Sequence, residues 1–459
     1  MKTNEQDIIS KIWKDWQQSF RVSAFTNQQY PIEPLITFRV LFGLMMLIST
    51  SRFLMLDWVA DHYINTRFQF KYFGFEWITL LPPFWMYAIH WLMLVSSIGI
   101  LLGAFYRISA ITFFLTFTYI ELIDLTYYLN HYYFVSLVAF LLILVPANGA
   151  FSIDILRKPQ DRISHIPFWI VGIFRLQLGI VYVYAGLAKI NETWLFEALP
   201  LKIWLPAADK IPVLGWFFKQ AITPYLFAWA GMFYDTFIVF FLSNRHTRLF
   251  AYLCVLFFHI VVGILFQIGV FPLVMIATTP IFFSADWHQK IWKWINQFLN
   301  IRIEFVVYQA KTRFLMRFLL IFFAFQLLFP LRYLLYNGNV FWTEQGYRFS
   351  WRVMLMEKAG TATFYVKDSK TGREGMVIND DFLRPHQEKQ MAMQPDMIVQ
   401  YAHFLKNHYE KQGIKNPKVR AEIYVMLNGK PSKLLIDPNL DLTTIEDNWQ
   451  QKSWILSNP

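Results

Sequence analysis

Long apolar stretches recur along most of the chain and restrict what it can fold into. They lie near 35–56, 84–105, 108–127, 131–147, 167–189, 223–243, 248–267, 270–283 and 313–336, and the eighth is short. A helix of about 20 apolar residues crosses the ~30 Å hydrocarbon core of a bilayer. The pattern therefore predicts an α-helical polytopic membrane protein with about 8–9 transmembrane helices, followed by a C-terminal extramembrane α+β domain.

The composition agrees with lipid as the solvent of this chain. Of its 459 residues, 56% are hydrophobic and 16% are charged, whereas about a quarter of an ordinary soluble protein is charged. The net charge of +11 does not indicate a nucleic-acid partner, because Lys and Arg are spread over short loops between the apolar runs. Cys254 is the single cysteine, so no intrachain disulfide can form.

The distribution of Lys and Arg predicts the orientation in the membrane. The N-terminal tail and the loops near 106–108, 148–166, 244–248 and 284–313 contain 15 of these residues, and the opposite loops contain 5. Cytoplasmic loops are enriched in Lys and Arg, so we expect a multi-pass protein of the cell membrane with a cytoplasmic N-terminus. An odd number of spans then places the C-terminal domain outside the cytoplasm.

Changes in residue pattern divide the chain into three parts. Residues 1–31 are predicted as an amphipathic cytoplasmic segment, 32–336 as the transmembrane domain and 337–459 as the extracytoplasmic domain. In the last part, TATFYVKDSKTGREGMVI predicts two strands, MIVQYAHFLKNHYEKQ a helix, and VRAEIYVMLNGKPSKLLID a hairpin with Asn-Gly at its turn. The stretch WHQKIWKWINQFL predicts a helix that lies flat on the membrane. The sequence has no Cys/His cluster that would indicate a metal.

A stripe of polar residues follows one face of the fifth apolar run. Arg175, Tyr182 and Lys189 recur every seven residues, and Gly179 and Gly186 lie beside them, which indicates a small polar-lined groove. Lys189 is near the outer end of its helix, so it could simply extend its amine to the membrane surface. The alternative is a general base, because an amine in an apolar pocket loses solvation of its charged form.

A second polar cluster lies in ELIDLTYYLNHYYF. Asp124 and His131 are seven residues apart, and Asn130 precedes the histidine at the outer boundary. The pair could be a polar interhelical turn, or His131 could exchange protons while the Asn130 amide holds a carbonyl or hydroxyl. Asp235 and His259 lie in the middle of spans, where interhelical hydrogen bonding is the more common role.

Sequence blocks along the chain follow the order and spacing of one family. They include ITFRVLFGLMMLI, YRIS, NHYYFVSLVAF, FSID, FRLQLGIVYVYAGLAKINETW, FHIVVGILFQIGVFPLVMIATTPIFFSADW, FWTEQGYRFSWRVMLM, KTGREG, VQYAHFL, IDPNLDL and the terminal QKSW. Together they resemble the vitamin K-dependent γ-glutamyl carboxylases, whose membrane part defines the horizontally transferred transmembrane (HTTM) domain. The chain is similar to a short, bacterial-type member of that family.

The resemblance implies roles for five residues of the two polar clusters. Lys189 takes the place of the family's catalytic base, His131 that of its catalytic histidine, and Asn130 that of the asparagine at the vitamin K head group. Tyr182 and Arg175 also match the family, and we place both in the cofactor-binding set.

The resemblance also extends to the start of the C-terminal domain. Tyr347 and Trp351 correspond to an aromatic stretch that enters the membrane-facing site, and Met354 of the same stretch joins the expected cofactor-binding set. The chain departs from the family after this stretch, where Met356 and Lys358 replace basic or histidine side chains, and it lacks the cysteines that join the two parts of the animal enzyme.

The reaction implied by the resemblance uses reduced vitamin K, a hydroquinone of the menaquinol or phylloquinol type, together with O2 and CO2. The hydroquinone gives a proton to Lys189, reacts with O2 and becomes a base strong enough to remove a γ-proton from a protein-bound glutamate. The carbanion adds CO2, giving γ-carboxyglutamate and vitamin K epoxide. The expected activity is a carboxylase of the carbon–carbon lyase class, and the expected partners are the bilayer and a glutamate-containing protein.

Two other hypotheses remain at this stage. A quinol epoxidase or oxygenase would keep the oxygenation and lose the glutamate step, which the departures from the family pattern favour. A membrane scaffold would keep only the fold, but the joint presence of Lys189, His131 and Asn130 argues against it.

Overall fold

A computed structural model describes residues 28–210, 215–266, 268–299, 306–308 and 312–457. Each apolar run predicted from the sequence forms a helix in these ranges. The helices are α1 (Glu33–Met55), α2 (Pro83–Leu102), α3 (Tyr106–Ile123), α4 (Asn130–Ile143), α5 (Trp169–Ala188), α6 (Thr223–Ser243), α7 (Arg248–Leu265), α8 (Phe271–Thr278), α9 (Ala285–Leu299) and α10 (Thr312–Leu328). Of these, α9 is the amphipathic stretch. The predicted N-terminal amphipathic segment falls almost entirely on residues 1–27, outside the described residues.

Not all of these helices are long enough to cross a bilayer alone. In the described residues seven are, namely α1, α2, α3, α5, α6, α7, and α10 with the 3₁₀ turns that extend it to Leu335. The eighth apolar run is short as expected, and the fourth is also shorter than predicted, because α4 has 14 residues and rises only about 21 Å. These findings confirm the polytopic helical fold and reduce the number of full-length spans.

The connections of the helices gather on two sides of the bundle. On one side the C-terminal domain covers the connections after α1, α3 and α5, and Gln387 donates a hydrogen bond to Asp124 (2.7 Å) while Trp204 donates to Glu357 (2.6 Å). On the other side the carboxylate of Asp154 accepts from the backbone amide that precedes α3 (2.7 Å). Despite its length, α4 therefore carries the chain from one side to the other.

The side away from the C-terminal domain is closed by short elements. Strand β1 (Gln29–Pro31) pairs antiparallel with β2 (His165–Pro167). The amphipathic helix α9 packs against the start of α1, because Trp292 and His288 both reach the hydroxyl of Thr37 at 2.9 Å. This face bears most of the Lys and Arg of the loops.

The C-terminal domain is a small antiparallel sheet with two helices. Strands β3 (Lys358–Lys367), β4 (Glu374–Met376), β5 (Lys418–Leu427) and β6 (Lys433–Leu434) lie in the order β4-β3-β5-β6, and helices α11 (Pro385–Met391) and α12 (Pro395–Lys411) pack beside them. Asn428 and Gly429 adopt left-handed conformations at the β5–β6 turn, as the Asn-Gly pair predicts. Alternate residues of β5 are buried, as expected of a sheet with one face on a core.

The core of this domain continues into the membrane domain. One apolar cluster joins Phe364 and Tyr401 of the sheet and α12 to Phe70, Trp194 and Leu201 of the outer connections. The two parts thus share a core, and the domain is fixed over one end of the helix bundle.

Candidate active site

Helices α5 and α6 approach each other closely where the polar stripe of α5 ends. A Cβ atom added at Gly186 would lie 2.5 Å from the backbone nitrogen of Thr236, so only glycine permits this contact. One turn further on, Lys189 follows the last residue of α5 and faces Asp235 of α6. The sequence Gly-x-x-Lys therefore brings the lysine against the partner helix.

Lys189 and Asp235 form a buried ion pair. The Nζ atom lies 2.7 Å from Asp235 Oδ2 and also donates to the Ala185 carbonyl at 3.2 Å. The two side chains are only 8% and 9% exposed within the protein. Lys189 is directed into the helix bundle, which disagrees with an amine that extends to the membrane surface.

A small cavity of about 90 Å³ adjoins this pair. Tyr182 lines it about two turns before Lys189, and its hydroxyl lies 3.1 Å from Nε2 of His259 on α7. Its other walls are mostly apolar and include Phe271 and Met354. The sequence interpretation of Asp235 and His259 as interhelical hydrogen-bond partners agrees with this geometry.

A segment of irregular backbone from the C-terminal domain closes the cavity. Glu344, Phe349, Trp351 and Met354 all have left-handed φ angles, between 53° and 60°. Such conformations are unfavourable for residues other than glycine and persist only where the surroundings impose them. Here the surroundings are the membrane domain, as the hydrogen bonds of the segment show.

Side chains at the start of α4 hold this segment by its backbone. The Phe349 amide donates to the Tyr128 hydroxyl at 2.7 Å, and the Asn130 amide donates to the Arg352 carbonyl at 3.1 Å. The Asn130 oxygen accepts from the Tyr128 hydroxyl at 3.0 Å. Asn130 thus positions the segment that carries Met354.

His131 and Trp351 lie in the next layer of side chains. The His131 ring packs against Phe271 with the centroids 5.7 Å apart, and Phe271 separates it from His259 and the small cavity. Trp351 stacks on Tyr133 at 5.0 Å. The His131 Nε2 and Trp351 Nε1 atoms are buried and have no hydrogen-bond partner among the described residues.

A larger crevice of about 550 Å³ lies between the membrane helices and the C-terminal domain. Tyr347 lines this crevice, and Met354 and Trp204 line both the crevice and the small cavity. Lys358 lies at its upper wall and bonds to Glu344 at 2.7 Å. Burial lowers the pKa of Lys358, and the charge of Glu344 opposes that effect.

A second buried ion pair fixes the segment to α12. Arg348 binds the Asp396 carboxylate with both terminal nitrogens. Burial alone would raise the pKa of Asp396, but the charges of Arg348 and Lys452 and hydrogen bonds from Arg348 and the Met397 amide bring it below its usual range. The aspartate is therefore charged at neutral pH and holds the segment in place.

Arg175 is the one residue of the expected site that lies far from the others. It is 14 residues before Lys189, about 21 Å along α5, and it donates to the carbonyls of Ile281 (2.9 Å) and Phe283 (3.3 Å). It therefore caps the end of the helical region that follows α8. Its hydrogen bonds in this structure are therefore at one end of the bundle, and Lys189 lies at the other end.

Sequence reasoning did not pair Asp235 with Lys189. A carboxylate in the middle of a span signals a functional or paired group, but the spacing between two distant helices cannot show which partner it has. In the described residues no three His, Cys, Asp or Glu side chains are grouped so as to hold a metal ion.

The fold and the site define a polytopic membrane protein with a buried lysine–carboxylate pair beneath an extramembrane domain. Comparison with family models matches residues 27–287 to the HTTM domain and residues 311–459 to the lumenal domain of vitamin K-dependent gamma-carboxylase. The chain belongs to the vitamin K-dependent gamma-carboxylase family, as the sequence blocks predicted. No solved structure matches the chain.

Proposed function

We propose that this protein is a glutamate carboxylase that couples oxidation of reduced vitamin K by O2 to carboxylation of a protein glutamate with CO2. The observation that carries the proposal is the Lys189–Asp235 pair, buried beside a cavity at the junction of the two family domains. When bound, the hydroquinone supplies the base that removes the glutamate γ-proton and leaves as the epoxide.

Lys189 is the group we assign to proton removal from the hydroquinone. An amine acts as a base only after it gives up its own proton, and Asp235 at 2.7 Å is the acceptor within reach. The pair thus holds one shared proton close to the cavity. Apolar walls exclude water, which protects a strong base from being quenched.

The residues around the cavity fit a ring that carries hydroxyl or carbonyl oxygens. His131 Nε2, His259 Nδ1 and Trp351 Nε1 are buried without hydrogen-bond partners among the described residues. Buried polar atoms usually have partners. His259 lines the cavity itself, so its Nδ1 suits a polar ligand there, whereas His131 and Trp351 lie in the next layer of side chains, against Phe271 and Tyr133. Tyr182 and Met354 both line the cavity and would contact the ring.

The hydroquinone would reach Lys189 through the crevice. A cavity of about 90 Å³ is below the ~300–1,000 Å³ of typical ligand pockets, whereas the crevice of about 550 Å³ is within that range. Met354 and Trp204 lie between the two. Since methionine side chains adapt readily, movement of Met354 would join the cavity to the crevice.

The glutamate would enter from the aqueous side of the crevice. The C-terminal domain contributes Lys389 and His386 to its mouth, and Lys389 is exposed. The positive charge of Lys389 attracts a carboxylate-bearing peptide. We also propose that residues 337–459 form the extracytoplasmic domain, residues 32–336 the transmembrane domain and residues 1–31 a cytoplasmic segment.

The assay uses purified full-length protein with reduced naphthoquinone, O2 and radiolabelled CO2, with and without a glutamate peptide. Epoxide and fixed carbon are measured separately. We expect both products from the parent protein, and epoxide formation lower by about 10²–10⁴-fold in Lys189→Ala, the range of general-base catalysis. Lys189→Arg should not restore it, because guanidinium stays protonated.

Lys202 provides a matched control in an outer connection, where it donates to the Tyr225 hydroxyl at 2.7 Å and is solvent-exposed. Lys202→Ala should retain parental activity. Near-parental epoxide formation by folded Lys189→Arg would refute the role of Lys189. Epoxide without fixed carbon would refute the carboxylase and leave an epoxidase, and absence of both products would refute enzymatic function on these substrates.

A further inference from the structure

The crevice has a polar group at its membrane end that the roles proposed above do not use. Its walls there come from α1, α2 and α3 and are largely apolar, with Met46, Phe53, Met93 and Phe117 among them. His90 of α2 lines the same region. It lies seven residues after the first residue of α2, about 10 Å below the outer end of that helix.

The hydrogen bonding of His90 fixes its chemical state. Nδ1 lies 2.7 Å from the carbonyl oxygen of Met86. A carbonyl oxygen only accepts, so Nδ1 carries the hydrogen, and in the neutral ring Nε2 has a free lone pair. Nε2 is buried and has no partner among the described residues, and the whole residue is 1% exposed.

The position of the ring determines where this lone pair can be used. Nδ1 is turned back onto the backbone of α2, so the ring edge with Nε2 points away from its own helix. Phe53 stacks on His90 with centroids 5.3 Å apart and planes at 13°. Met93, three residues further along α2, also lines the crevice, and its flexible side chain can adjust to a ring bound beside His90.

Such a site selects a particular class of ligand. A lone pair in apolar surroundings is satisfied by a ligand that donates an O–H or N–H hydrogen bond. The surrounding aromatic and methionine side chains suit a flat ring. The walls at this end belong to membrane helices, so the apolar part of an amphiphile has apolar surroundings there.

We propose that the membrane end of the crevice binds the ring of a phenolic amphiphile, whose hydroxyl donates a hydrogen bond to His90 Nε2. The ligand class is a hydroquinone, and its identification as reduced vitamin K rests on the proposed function. The site lies on the path to Lys189, because Met354 and Trp204 border both the crevice and the small cavity. The hydroquinone therefore binds first at His90 and then moves past Met354 to Lys189.

Binding is measured without turnover, so that it is independent of the proposed reaction. Full-length protein in detergent is titrated anaerobically with a naphthohydroquinone and with its dimethyl ether, which cannot donate. Quenching of tryptophan fluorescence reports binding, since Trp58 lines the crevice. The parent protein should bind the hydroquinone about 5–10-fold more tightly than the ether, as one hydrogen bond of about 1 kcal/mol gives.

Variants then test whether His90 is the acceptor. His90→Phe keeps the flat ring and should lower hydroquinone affinity by the same factor while leaving the ether unchanged, and His90→Gln keeps an acceptor and should retain most of the affinity. Ser97→Ala is the matched control, because Ser97 is buried on the same helix but bonds its own backbone at Met93 (2.9 Å). It should bind both compounds as the parent protein does.

Two outcomes overturn the proposal. One is that folded His90→Phe discriminates between hydroquinone and ether as the parent does, or that folded His90→Gln, which keeps an acceptor, loses this discrimination. The other is equal affinity of the parent for both compounds. Lys189→Ala should still bind the hydroquinone at His90. Binding without turnover in the parent protein would refute the proposed reaction but not the His90 site. Turnover in the parent protein, together with unchanged discrimination between hydroquinone and ether in His90→Phe, would refute the His90 site but not the reaction.

Discussion

Removing one member of the Lys189–Asp235 pair should cost much more stability than removing both. The side chains are less than a tenth exposed, and their charges are 2.7 Å apart. Lys189→Met or Asp235→Leu leaves an unpaired buried charge, which costs about 3–5 kcal/mol of unfolding free energy. The double variant leaves no charge, and replacement of a buried pair by apolar residues is often nearly neutral.

A double-mutant cycle measures this coupling. Unfolding of the four proteins is followed by titration with denaturing detergent from bicelles, and we expect a coupling free energy of about 3 kcal/mol or more. The matched control is Lys219–Asp209, an ion pair at 3.1 Å with side chains 60% and 35% exposed, for which we expect no more than about 1 kcal/mol. The double variant at the buried pair should be folded and unable to form epoxide. If the stability losses of the two single variants simply add in the double variant, Lys189 and Asp235 do not interact as a buried ion pair.

Three other predictions concern the reaction, the orientation and the C-terminal domain. His131→Ala should lower carboxylation more than epoxide formation, and equal loss of both would assign His131 to quinol binding or folding. A C-terminal tag should be cleaved by protease added outside intact cells, and protection of the tag would contradict the orientation inferred from Lys and Arg. Because the pKa of Asp396 is depressed in the folded state, its stabilising effect is present above the unfolded value of about 4 and is lost as the pH falls further. The unfolding free energy of the parent protein should therefore fall as the pH drops below about 4, and it should fall less in Asp396→Asn. If folded Asp396→Asn loses stability with falling pH as the parent does, Asp396 does not have this role.

The sequence predicted the helices well because lipid requires long, continuous apolar runs. The α4 run was the exception, since apolar residues 144–147 continue past the end of the helix at Ile143 without being helical. Hydropathy does not distinguish a helical residue from an apolar one in a turn. In the C-terminal domain, alternation predicted the strands β3 and β5, and the Asn428–Gly429 pair predicted the hairpin of β5 and β6.

The site was only partly predictable. The seven-residue spacing placed Tyr182 and Lys189 on one face of α5, and both line the small cavity. The same spacing also placed Arg175 in the expected site, although its contacts are at the other end of the bundle. Periodicity shows which face of a helix a residue occupies, but not how close along the helix it lies to the other site residues. The ion pair of Lys189 with Asp235 and the burial of His90 Nε2 depend on contacts with other helices, which local patterns do not encode.

Tyr128 accepts a hydrogen bond from the Phe349 amide and Asn130 donates one to the Arg352 carbonyl, and these two bonds bear on how such proteins could evolve. Within the described residues, the two halves are joined by a shared network of backbone hydrogen bonds at the start of α4. Exchanging the extramembrane half by gene fusion would strand these polar groups in an apolar setting. New substrate specificities would therefore arise more readily by changing loops at the crevice mouth than by domain shuffling.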